Sequence, residues 1–129
     1  MTGQANTNAV RHGLHSERRI RPLARSKKRA FLRRNGLLAS RLSGPQLAHL
    51  NRWARMEAMA DLANRWLDEH GLLNEDGEPQ PVVKFVVSVE NAGRLAMRAL
   101  EESLRHSAKG EDELSAYLAR AYPEGGDDD

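Results

Sequence analysis

SGPQLAHLNRWARMEAMADLANRWLDEHG, residues 43–71, is the stretch whose reading decides the fold. Ser43 can cap the free amides of a helix start, Pro45 is tolerated in a first turn, and Gly71 supplies a stop, so the spacing predicts one long helix ending near His70. Within it Trp53, Met56, Ala60, Ala63 and Leu67 are spaced 3, 4, 3, 4, the seam of a helix packed nearly parallel or antiparallel to another. A second apolar stripe, Leu47, Leu50, Ala54, Ala58 and Leu62, points elsewhere around the cylinder. One hairpin partner covers one stripe, so the second asks for another neighbour, which we expect to be a further copy of the chain or a partner protein.

Toward the C-terminus, Asn74, Asp76-Gly77, Pro79 and Pro81 spell a tight turn between two long elements. Val82 to Val89 alone would pass for a buried strand, because Val and Phe favour sheets. The continuation decides for a helix: Val86, Val89, Gly93, Ala96, Leu100 and Leu104 recur at helical spacing, while Lys84, Asn91, Arg94, Arg98, Glu102 and Arg105 fill the opposite face. This second helix is expected from about Pro81 to Ser107, with Ala92, Gly93 and Ala96 small enough for another helix to approach closely. After Gly110, Glu111-Asp112-Glu113 suits the positive end of a separate short helix carrying Leu114, Tyr117, Leu118 and Ala121, stopped by Pro123. The Glu-Gly-Gly-Asp-Asp-Asp that follows reads as an exposed acidic tail.

Toward the N-terminus the chain changes character. Residues 1–21 lack helical or strand periodicity and mix Gly3, Asn6, Asn8 and Gly13 with cations, with Pro22 just beyond, so an arm disordered until it meets a polyanion is expected. Leu23, Ala30, Phe31, Leu38 and Leu42 make residues 23–42 a weakly amphipathic basic stretch, interrupted at Asn35-Gly36. The expected fold is therefore all-α. A basic arm with short helices (1–42) precedes a central antiparallel helical hairpin (43–108), and a short helix with an acidic tail (109–129) follows as a surface for a partner.

Composition narrows the function classes. Among 129 residues there is no cysteine, which excludes disulfides, thiolate metal sites and a cysteine nucleophile. No apolar run resembles a secretory signal or a membrane span, so a cytoplasmic protein without membrane contact is expected. Aromatics are only 5% of the chain, a small core that favours association. The net charge of +2 hides an asymmetry: residues 1–41 carry about +10 and residues 42–129 about −8.

No phosphate loop, dinucleotide fingerprint, Ser-His-Asp set or metal-binding pair stands out. His12, His15, His49, His70 and His106 are scattered, and the adjacent Asp68 and Glu69 point in different directions on a helix. No enzyme activity, cofactor or metal is expected. The candidate site is the basic cluster Arg11, Arg18, Arg19, Arg21, Arg25, Lys27, Lys28, Arg29, Arg33 and Arg34. Such a cluster binds duplex DNA or RNA by neutralising phosphates and releasing counterions, without base contacts, and arginine's planar fork holds a phosphate through two hydrogen bonds. Leu47, Leu50, Trp53, Met56, Ala60, Ala63, Leu67, Val86, Val89, Gly93, Ala96 and Leu100 are the expected oligomerisation residues.

Two segments resemble phage terminase small subunits. Asn6-Thr7-Asn8-Ala9-Val10-Arg11-His12-Gly13-Leu14 is similar to the Asn-Ala-rich, His-Gly-containing start of several such proteins. Trp66-Leu67-Asp68-Glu69-His70-Gly71-Leu72-Leu73, followed by Asp76-Gly77-Glu78-Pro79, is similar to the turn of their central hairpin. The resemblance implies a non-catalytic DNA-binding protein that assembles into a homo-oligomeric ring in the host cytoplasm. It further implies recruitment of viral DNA to the terminase large subunit, which carries the ATPase and nuclease. Many members place a helix-turn-helix domain before the hairpin; here there is room for a basic arm and one or two short helices. Charge alone also accommodates an RNA- or ribosome-associated helical protein, and the layout accommodates a structural phage head or connector oligomer.

Overall fold

The computed structural model describes residues 16–122, and every regular element among them is helical. We number them α1 (Glu17–Arg34), α2 (Gly44–His70) and α3 (Pro81–Ala121), with one 3-10 turn at Ala39–Arg41 between α1 and α2. Helices α2 and α3 form the antiparallel hairpin: Gln46 at the start of α2 meets Ser103 and Ser107, whereas Met56, further along, faces Gly93.

Local chemistry sets the bounds of α2. The Ser43 hydroxyl accepts from the Gln46 backbone N–H at 3.2 Å, and the Ser43 N–H donates to Gln46 Oε1 at 2.9 Å, a reciprocal cap that satisfies two orphan amides. Its amide nitrogen then donates to Ser103 Oγ at 3.2 Å and to Ser107 Oγ at 3.0 Å. Gln46 is thus a buried polar side chain whose hydrogen bonds tie the two helices together. At the other end Gly71 leaves the helix at φ +85°, its N–H still bonded to Leu67 O at 2.7 Å. In the turn, Asn74 Oδ1 accepts from the backbone N–H of Asp76 and of Glu78 at 2.9 and 3.0 Å, and Leu73 and Pro79 form an isolated bridge.

Three expectations are corrected. First, α1 begins at Glu17, so Arg18, Arg19 and Arg21 belong to a helix and not to a disordered arm; Arg11 and the rest of residues 1–15 lie outside the described residues. Pro22 sits within α1 although it removes one helical hydrogen bond. Tertiary burial outweighs that loss, because Ile20 is completely buried in a cluster with Ala58, Met59 and Leu62, flanked by Leu23 and Ala24. Full burial of one such side chain contributes about 1.5–3 kcal/mol.

Second, of the stripe Leu47, Leu50, Ala54, Ala58 and Leu62, the last three find their neighbour in α1 of the same chain, where Ile20 clusters with Ala58 and Leu62 and lines a groove with Ala54. The twelve residues assigned to oligomerisation line this internal core: Leu50, Ala60, Ala63, Leu67, Val86, Val89, Gly93, Ala96 and Leu100 are buried, and Leu47, Trp53 and Met56 are half-buried. Residues 17–34 and the hairpin therefore share one core across the expected boundary at 42.

Third, there is no separate C-terminal helix. Residues 108–121 continue α3 through Gly110. A helical glycine costs only about 1 kcal/mol relative to Ala, and Gly110 does not take the positive φ that a glycine stop uses. Asn35-Gly36, by contrast, is a true stop: Gly36 has φ +62°, with Leu37 N–H on Leu32 O at 2.9 Å and Gly36 N–H on Arg33 O at 3.3 Å, the bond pair of a Schellman motif.

Beyond Ser107, α3 outruns the start of α2 and exposes Leu114, Tyr117, Leu118 and Tyr122. No helix among the described residues is long and apolar enough to cross a membrane.

Candidate nucleic-acid interface

Helix α1 carries nine Lys or Arg residues against one acid, Glu17. With Ile20 turned into the core, the 100° advance per residue fixes where the rest point. Arg18, Arg25, Arg29 and Arg33 fall within about 40° of the direction opposite Ile20, and span about 22 Å of helix axis. All four are exposed. The packing that buries one edge of α1 thereby aligns these cations on its outer edge. Arg33 and Arg34 also lie in the last turn, where cations meet the negative end of the helix dipole.

The other basic residues have different surroundings. Lys27 is half-buried and paired with Asp61 at 3.6 Å, and Asp61 is also held by Arg65 at 3.2 Å. Arg21 lies 3.4 Å from Glu17. Lys28 is half-buried, while Arg19 and Arg34 are exposed. The ten cations read from sequence as one cluster; among the nine on α1, the helix sets the outer row apart from Lys27, which ties α1 to α2, and from Arg21, which pairs with Glu17 of α1 itself.

α1 crosses α2 steeply. Glu17 bonds Arg55, and Phe31, about 21 Å further along α1, packs its ring 5.4 Å from that of Trp53. Two α2 residues only two positions apart thus reach opposite ends of α1. A shallow groove of about 290 Å³ lies on one side of the crossing. Its floor is Ile20, Ala24 and Ala54; Arg21, Arg25 and Lys28 form one rim, and Asn51 and Arg55 the other. Asn51 and Arg55 were not singled out from sequence; their spacing of four beside the stripe Leu50, Ala54 and Ala58 is the only sign of the site.

Glu17, outside the lining itself, holds two of the lining arginines, Arg21 and Arg55. Its Oε2 accepts from Arg55 Nη1 at 3.0 Å and its Oε1 accepts from Arg55 Nη2, a two-pronged pairing. The hydrogen bonds from Arg55 hold the Glu17 carboxyl below the usual carboxylate value, against a smaller opposing push from desolvation, with the charges of Arg55 and Arg21 adding to the lowering. The same bonds raise Arg55.

Such a surface suits a charged backbone better than exposed bases. Phe31 is engaged with Trp53, and Trp66 stacks on His70 with ring centroids 4.2 Å apart. Helix α1 therefore offers guanidinium groups rather than the free aromatic faces on which single-stranded bases stack. Among the described residues no group of three or more His, Asp or Glu is placed to hold a metal ion. The chain matches no protein-family model, no curated protein and no solved structure.

Proposed function

We propose that this chain is a DNA-binding, non-catalytic adaptor that brings duplex DNA to a packaging enzyme, as the terminase small subunits it resembles do. The observation that carries the DNA-binding part is the outer row Arg18, Arg25, Arg29 and Arg33, held on a helix whose opposite edge is locked into the core by Ile20. A row fixed on a rigid helix meets phosphates without the ordering cost a disordered arm incurs. Phosphate contacts of this kind position a protein on DNA and carry no base information, so binding with little sequence preference is expected from α1. Assembly into a ring, contact with a terminase large subunit and action in the host cytoplasm rest on the sequence resemblance.

Titration of the full chain with duplex DNA at several salt concentrations tests this reading. If about six cations meet phosphates, log affinity should fall against log salt with a slope of about −5. Replacing Arg18, Arg25, Arg29 and Arg33 together by Ala should remove most of the affinity and flatten the slope by about 3.6, with the helical content unchanged. Equal binding by the fourfold variant rejects the reading. Tighter binding to single-stranded RNA than to duplex DNA transfers it to the RNA-associated alternative.

A further inference from the structure

Two arginines that line the groove between α1 and α2, Arg21 and Arg55, already hold an anion supplied by the chain itself, Glu17, which is not itself a lining residue. Glu17 is the only acidic residue before Glu57, and it stands at the one place where Arg21 from α1 and Arg55 from α2 converge. Both oxygens of its carboxylate are engaged by the Arg55 fork. That arrangement is also the one in which a guanidinium grips two oxygens of a phosphate.

We propose that Arg55 and Arg21 form a phosphodiester subsite in the α1–α2 groove, held in the free protein by the Glu17 carboxylate and vacated when a nucleic-acid backbone phosphate displaces it. This rests on the nucleic-acid reading of α1 and adds to it residues of α2.

Three features make the exchange favourable. The side chains involved are open to solvent, 47% for Glu17, 41% for Arg55 and 75% for Arg21, and ion pairs of that exposure hold weakly. Glu17 brings a single charge, whereas a nucleic-acid strand brings further phosphates within reach of Arg25 and Lys28 on the same rim, so the strand gains contacts that the carboxylate cannot make. The floor of Ile20, Ala24 and Ala54 keeps the arginine forks at the surface. The second α1–α2 ion pair, Lys27 with Asp61, lies outside the groove residues and serves as the control.

The test is a double-mutant cycle on the full chain, read by fluorescence anisotropy with a mixed-sequence duplex of about twenty base pairs at about 0.1 M salt. Glu17→Gln should tighten binding about threefold, the scale of releasing an exposed ion pair. Arg55→Ala should weaken binding and reduce the salt slope by about 0.9, one phosphate contact. In the Arg55→Ala background the gain from Glu17→Gln should disappear. Arg21→Ala, at the most exposed of the three positions, should reduce that gain and provides the same cycle should Arg55→Ala melt early. An equal gain in both backgrounds, or an equal gain from Asp61→Asn, would show a mere net-charge effect and overturn the subsite. So would a Glu17→Gln protein that binds as the parent does. A parent protein that binds no duplex even at low salt defeats the nucleic-acid reading itself, a result distinct from a parent that binds with a neutral Glu17.

Discussion

A methyl group placed on Gly93 would lie 3.2 Å from Cβ of Met56, tighter than nine in ten such contacts. At Gly93 α3 passes close to α2, and Met56 Cβ is anchored to its own helix, so it yields only if the helices move apart. Gly93→Ala should therefore lower stability by about 1 kcal/mol, an overpacking cost exceeding the helix propensity gained. Gly93→Leu should cost more. Gly110, also helical, has nothing within 4 Å of its would-be Cβ; Gly110→Ala should instead increase helicity and slow amide exchange in the last turns of α3. Thermal melts and exchange rates compare the two glycines directly.

Ile20 is the test of whether α1 belongs to the core. Ile20→Ala should cost about 2–4 kcal/mol, measured by denaturant unfolding. Removal of residues 1–41 should be worse, because Ala54, Ala58 and Leu62 lose the cover of α1; the remaining fragment should melt early and bind hydrophobic dyes. A fragment as stable as the full chain would show that the hairpin needs nothing from α1.

Gln46 should be the most sensitive polar residue of the hairpin. Gln46→Ala removes half of the Ser43 cap and the bonds to Ser103 and Ser107, and should lower stability by about 1–3 kcal/mol. Ser43→Ala, which loses the cap alone, should cost about 1 kcal/mol.

The Glu17–Arg55 pair has a defined pH signature. Because hydrogen bonds from Arg55 lower the Glu17 carboxyl in the fold, its stabilising contribution is present above the ordinary value of 4.5 and is lost as pH falls through the lower folded value. A carbon-13 titration should place the Glu17 midpoint below 4.5, and Arg55→Ala should move it upward. No movement would mean that the pair does not persist in solution.

The elements easiest to read from sequence are those whose signals are local. Ser43, Pro45 and Gly71 bracket α2, the 3, 4 spacing from Trp53 to Leu67 identifies the face it buries, and Gly93 marks the close approach of α3. What escaped depends on distance along the chain. Pro22 looked like the end of an arm because the compensating burial of Ile20 comes from Ala58 and Leu62, far away in sequence. Gly110 looked like a stop because a glycine's dihedral angle is not written in its neighbours. The basic cluster was legible as charge, but its division into an outer row and α2-facing residues required the position of Ile20, and Asn51 and Arg55 joined the groove only once α1 lay across α2.

The contact between Phe31 and Trp53 gives the molecule an optical signature. The chain has two tryptophans: one sits beneath α1, and the other stacks on His70 near the hairpin turn. Emission from Trp53 therefore reports the seating of the first helix, while Trp66 reports the hairpin. With Trp66→Phe as background, a shift of the remaining emission on adding DNA reads any rocking of α1 over its neighbour, without a dye, in the same cuvette that measures binding.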